Sequence, residues 1–201
     1  MGGFFPFTLT PEIYGLNGNP ALTNDPFNVL NPNSGARMPL GTPAYLQVTA
    51  ALATQFGFPS SVVGSRLKFR YVRLNSTTPP ALVAGGPLFW KDTTFTIVTA
   101  NPSEGMNGSN GPAFPAGILL NGNATNGNYI WMQTYGYNAT VQMPTNTDTG
   151  ASIIPASGTV QATYKITYGT APSQVPLAIA IGPSINGSGP GLIVLEEGYG
   201  M

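Results

Sequence analysis

Arg66-Leu67-Lys68-Phe69-Arg70-Tyr71 decides the fold class. Strict alternation puts Leu67, Phe69 and Tyr71 on one face and three cations on the other. That is the period of a half-buried strand, not of a helix. Downstream, the same reading gives strands at 87–90 and 95–99, with Lys91-Asp92-Thr93-Thr94 as a hairpin turn between them. Further strands are predicted at 116–120, 129–134, 139–143, 152–154, 160–168, 176–181 and 192–195. Asn121-Gly122, Asn126-Gly127, Ser157-Gly158 and Asn186-Gly187 supply turn chemistry between them. Short strands at this spacing predict an all-β fold, an antiparallel β-sandwich or barrel. Residues 101–115, rich in Asn, Gly, Ser and Pro, read as a long exposed loop.

Upstream, the pattern changes. Residues 43–57 read as the one short helix, with Thr42 as cap and Pro43 in the first turn. Tyr45, Val48, Leu52 and Phe56 form a stripe, and Gly57 and Pro59 end it. Residues 1–42 read as an extended N-terminal arm. Prolines recur every five to nine residues from Pro6 to Pro39, too often for helix or central strand. Between them sit apolar anchors: Phe4, Phe5, Phe7, Ile13, Tyr14 and Phe27. A disordered tail would be polar or charged. The chain thus divides into residues 1–60, arm plus helix, and residues 61–201, a β-domain.

Composition narrows the function. Of 201 residues only 7% are charged, and seven basic and seven acidic side chains cancel. No net field steers the chain to nucleic acid or an anionic membrane. There is no Cys and no His, which removes disulfides, Ser-His-Asp and Cys-His pairs and nearly every zinc site. The 26 glycines and 20 prolines approach the disordered range, but 42% hydrophobic residues leave enough for a core. Met1 to Thr10 has neither the basic nor the long apolar region of a signal peptide, and no run reaches 18 apolar residues. A cytosolic product with no membrane span is expected.

The carboxylates are Glu12, Asp25, Asp92, Glu104, Asp148, Glu196 and Glu197. Asp92 with Glu104 could in principle meet as a hydrolytic pair, but turn and solvent positions explain them better. Arg66, Lys68, Arg70 and Arg73 hold four of the seven positive charges. The first three either guard an edge strand against unwanted pairing or dock an acidic neighbour through bidentate carboxylate contacts. Tyr129, Trp131, Tyr135 and Tyr137 could stack on a sugar, but strand alternation favours the core. Gly182 to Gly189 lacks the lysine and context of a phosphate loop. Sequons begin at Asn75, Asn107, Asn123, Asn138 and Asn186, and matter only on a secretory route. No catalytic, metal or cofactor site is predicted, and the chain is read as a non-enzyme with no cofactor.

Several phrases carry a resemblance. They are Arg70-Tyr-Val-Arg, Ala84-Gly-Gly-Pro-Leu-Phe-Trp-Lys-Asp, Phe95-Thr-Ile-Val-Thr, Pro115-Ala-Gly-Ile-Leu-Leu-Asn and Asn126-Gly-Asn-Tyr-Ile-Trp-Met-Gln-Thr-Tyr-Gly. In this order, over residues 66–195, they resemble small tailed-phage virion proteins of the lambda-type capsid decoration (cement) family. The resemblance implies a β-tulip-like virion protein on the outer capsid surface, partnered by the major capsid protein and by itself, commonly as a homotrimer. It implies no catalytic residue. The candidate assembly contacts are Phe4, Phe5, Phe7, Ile13, Tyr14, Phe27, Arg66, Lys68 and Arg70. Two other readings stay open: a self-assembling filament or surface-layer subunit with arm exchange, and a carbohydrate-binding module.

Overall fold

A computed structural model describes residues 36, 39–77, 82–106, 113–120, 122, 124–155, 163–166, 176–184 and 186–195. Its elements, in chain order, are β1 (Pro43–Gln47), α1 (Ala50–Phe56), β2 (Arg66–Leu74), β3 (Pro87–Trp90), β4 (Ile97–Thr99), β5 (Pro115–Leu119), β6 (Tyr129–Gln142), β7 (Ser152–Pro155), β8 (Thr163–Ile166), β9 (Ala178–Ala180) and β10 (Ser188–Val194). The all-β class read from the sequence is what the chain adopts. All ten strands join one sheet, in the order β1-β2-β4-β3-β5-β6-β10-β9-β7-β8.

The sheet is mixed, not purely antiparallel. Arg73 and Leu74 of β2 run parallel to Ile97 and Val98 of β4. β2 also pairs antiparallel with β6, so β2, β4, β3, β5 and β6 form a closed ring of pairings. One core draws on all five: Val72, Leu74, Leu88, Trp90, Val98, Ala116, Ile130 and Met132 are buried together. A second core lies under β1 and α1, and a third under β7, β9 and β10.

The helix over 43–57 is corrected. Its first part is strand β1, paired antiparallel with β2 from Pro43↔Arg70 to Gln47↔Arg66. Ala44, Leu46 and Val48 are buried while Tyr45 and Gln47 are not, which is the period of a strand. Proline is tolerated there because it opens a strand at the sheet's edge, where an N–H is dispensable. The cap is Thr49, whose Oγ1 accepts the Leu52 N–H at 3.2 Å. Thr42 instead donates its hydroxyl to the Pro39 carbonyl at 2.6 Å. Gly57 does end the helix, in the left-handed conformation at φ 65°. Ala53 and Leu46 share a core with Leu67, Phe69 and Tyr71, so β1 and the first turn of α1, grouped above with the arm, pack into the β-body.

Two predicted strands, 129–134 and 139–143, are one continuous strand of 14 residues. It survives a register shift opposite Lys68/Phe69 because Gln133 supplies the bonds the ladder loses there. Its Nε2 donates to the Tyr135 carbonyl at 3.1 Å and the Tyr137 carbonyl at 2.9 Å. Asn138 Nδ2 donates back to Gln133 Oε1 at 3.0 Å. Such a bulge bends the strand and re-aims its side chains, here Tyr135.

Candidate functional site

β2 carries the cations, and its two faces exchange roles along its length. From Arg66 to Arg70 the odd positions are buried and the even ones carry charge. Tyr71 and Val72 are both buried, and beyond them Arg73 is exposed while Leu74 is buried. The strand therefore leaves one core, beneath β1 and α1, and enters the other, inside the ring. β2 is not an edge strand either: β1 and β4 occupy one side and β6 the other. Guarding an exposed edge no longer accounts for the charges at 68 and 70, which have partners on both sides.

Each cation has its own surroundings. Arg70 lies on the ring's rim, its guanidinium 5.4 Å from the Trp90 ring centroid. Its Nε is buried without a hydrogen-bond partner, so stacking on an aromatic face is the contact that steadies it. Arg73 sits over Tyr129 at 5.9 Å on the other face. Lys68 lies between two rings, with Nζ 5.8 Å from the Tyr45 centroid and 5.4 Å from that of Tyr135. Arg66 is exposed.

Arg66 and Lys68 line one groove of about 680 Å³ with Val62, Tyr135, Tyr137, Ile181 and Leu192, and the small residues Ser61, Gly64, Ser65 and Gly136. The bulge of β6 builds its floor. Tyr137 packs edge-on against Phe58 at 5.2 Å, and burial pushes its phenol pKa up. On the far wall Ile181 is 42% exposed. The groove thus pairs a cationic wall with an apolar one.

Of the nine candidate contacts, the structure brings together Arg66 and Lys68 in the groove and separates Arg70 onto Trp90. Phe4, Phe5, Phe7, Ile13, Tyr14 and Phe27 lie outside the described residues. The aromatic cluster divides: Trp131 is 5% exposed and packs at 5.2 Å against Tyr71, and Tyr137 is buried too, while Tyr129 and Tyr135 are half-buried and Tyr135 lines the groove.

The carboxylates Asp92 and Glu104 do not form a hydrolytic pair, because each is committed elsewhere. Asp92 holds the β3–β4 turn, accepting the N–H groups of Thr96 and Ile97, each at 3.2 Å, and the Thr94 hydroxyl. Burial would raise its pKa, but these bonds lower it. Glu104 takes Lys91 Nζ at 3.1 Å, Thr99 Oγ1 at 3.1 Å, and both the N–H and hydroxyl of Thr77. Burial again opposes ionisation, and the bonds from Thr77, Lys91 and Thr99 overcome it, holding the carboxyl at about 2. Lys91 also donates to the Asn75 carbonyl at 3.1 Å, tying the end of β2 to β3. Sequence reasoning missed this network because Thr77 and Lys91, which lie 27 and 13 residues from Glu104, reach it only through the fold.

Among the described residues there is no cluster of three or more acidic, His or Cys side chains able to hold a metal, and no helix long and apolar enough to cross a membrane. No family model, characterised protein or solved structure matches the chain.

Proposed function

We propose that the protein is a structural virion component that binds the outer surface of a tailed-phage capsid and braces the lattice of the major capsid protein. One observation carries this reading. The phrases that resemble the decoration family lie on β2, β3, β4, β5 and β6, the five strands of the closed ring. Three of their glycines sit where strands press together. A Cβ at Gly85 would lie 1.6 Å from the Thr140 carbonyl oxygen, one at Gly117 2.7 Å from that of Gln133, and one at Gly136 2.6 Å from that of Arg66. Gly85 also bridges strands, donating to the Leu119 carbonyl and accepting from the Gln142 N–H. The resembling residues are therefore the ones that close this body.

The side-chain chemistry agrees with a passive, adhesive role. Asp92 and Glu104 are spent on a turn and on Lys91. A permanent subunit contact needs roughly 800 Å² per partner, and a chain with so few charges gives up little hydration in forming one.

The test is to add purified full-length protein to expanded shells assembled from the major capsid protein of the phage that encodes it. Saturable binding and a higher shell rupture temperature are expected. Shells that neither bind the protein nor gain stability would overturn the reading.

A further inference from the structure

We infer that Asn75, Lys91 and Glu104 form a self-crosslinking site, in which the Lys91 amine displaces ammonia from the Asn75 side-chain amide and leaves a covalent amide bond between the two side chains. It is a single-turnover modification of this chain and stands whatever partner the chain binds.

Placement is the first argument. β4 lies between β2 and β3 in the sheet. Asn75 follows the last residue of β2, and Lys91 follows the last residue of β3. Their backbone N–H groups bond to successive carbonyls of β4, Asn75 to Val98 at 2.7 Å and Lys91 to Ile97 at 3.0 Å. The two main chains are thus pinned on either side of one strand, and their side chains meet across it. Lys91 Nζ stands 3.3 Å from Asn75 Oδ1 and 3.1 Å from Glu104 Oε2. A carbonyl carbon lies ~1.2 Å from its oxygen, so Asn75 Cγ is within about 4.5 Å of the nitrogen. The flexible lysine stem has to close about 1 Å to reach attack distance.

Chemistry is the second argument. An ion pair needs only Lys91 and Glu104. The amide held on the same nitrogen adds an electrophile, and the carboxylate touching that nitrogen is placed to carry protons. Lys91 Nζ first passes a proton to Glu104, and the freed lone pair forms a bond to Asn75 Cγ. The carboxyl group then moves a second proton from Nζ to Nδ2. The Cγ–Nδ2 bond breaks with its electron pair going to nitrogen, and ammonia leaves, taking the first proton from Glu104 as ammonium. One lysine ammonium and one primary amide become one secondary amide and one ammonium, with the Glu104 carboxylate restored. Glu104 keeps donors once the lysine charge is gone: the Thr77 N–H and hydroxyl, the Thr99 hydroxyl at 3.1 Å and Asn101 Nδ2 at 3.4 Å. The product therefore strands no carboxylate without hydrogen bonds. The Lys91 and Glu104 side chains are only 25% and 15% exposed, which limits competition from water. The bond would clamp the ends of β2 and β3 across β4, a covalent brace in a body whose role is durability.

The experiment is mass spectrometry of the purified full-length protein, denatured, after prolonged incubation at neutral pH. The wild-type chain is expected to weigh one ammonia less than its sequence. Chymotrypsin, cutting after Leu88, Phe89 or Trp90, should then release the peptide holding Asn75 joined to the peptide holding Lys91. Lys91→Arg, which keeps the positive charge, and Asn75→Ala should both show the full sequence mass, with melting curves confirming their fold. Glu104→Gln should react at least tenfold more slowly. Wild-type protein at its full sequence mass would overturn the inference, and that result does not depend on any variant folding. Ammonia loss that persists in Lys91→Arg would also overturn it, by placing the loss at an Asn-Gly step such as Asn126-Gly127. Glu104→Gln reacting as fast as wild type would overturn the proton relay.

Discussion

Gly136 lies against the backbone of Arg66 so closely that a Cβ at 136 would stand 2.6 Å from the Arg66 carbonyl oxygen and 2.7 Å from Leu67 Cδ2. Its φ of 97° is also one that side-chain-bearing residues rarely adopt. Gly136→Ala therefore combines a backbone clash with strain. A loss of about 2–4 kcal/mol is expected in urea unfolding. Gly57→Ala, at φ 65° with open space around it, should cost only about 1 kcal/mol. Equal losses at the two sites would mean that close approach at 136 is not what demands glycine.

Gln133 is 2% exposed and serves two carbonyls of its own strand. Gln133→Leu keeps the volume but leaves the Tyr135 and Tyr137 carbonyls without these donors. Destabilisation of about 2–3 kcal/mol is expected. Hydrogen exchange should rise at residues 133–138 before it rises in the ring core. Uniform exchange across β6 would argue that the bulge is held by other means.

The acid limb of stability should report Glu104. Its folded pKa, about 2, lies below its ordinary value of 4.5. A depressed carboxylate contributes stability that is complete above about 4.5 and is lost as pH falls toward 2. Glu104→Gln should cost about 2–3 kcal/mol at pH 7, since Lys91 loses its counter-charge. It should also flatten the decline between pH 4.5 and 2. Chemical denaturation across that window, with parallel curves for variant and wild type, would show that the carboxyl is not depressed.

Helix capping separates the sequence expectation from the observed start of α1. Thr49→Ala removes the acceptor of the Leu52 N–H and should cost about 1 kcal/mol with loss of helical signal. Thr42→Ala removes only a turn bond to Pro39 and should leave the helix unchanged. A larger helical loss at Thr42 would restore the longer helix.

Much of the β-body was legible. Alternation at 66–71 and the turn pairs downstream give strand positions because period-two patterning is local. The stripe from Tyr45 to Phe56 misled because Tyr45, Val48 and Leu52 fit a helical spacing, while Ala44 and Leu46, the buried residues of β1, are too modest to announce a strand. Of the candidate site, the sequence marked Arg66 and Lys68 as unusual but could not separate them from Arg70. Alternation puts all three on one face, and only the approach of Trp90 to Arg70 and of Tyr45 and Tyr135 to Lys68 tells them apart.

The amino-acid order alone settled that this chain is strand-rich, poor in charge and without thiol or imidazole chemistry. Those are properties of composition and of neighbours within a few residues. Which strands lie side by side, that β2 is enclosed by β1, β4 and β6, and that a bulge opens a cationic groove were decided only by the tertiary fold. Each depends on hydrogen-bond partners remote in the chain, and a backbone N–H or C=O carries no label in the sequence for the partner it will find.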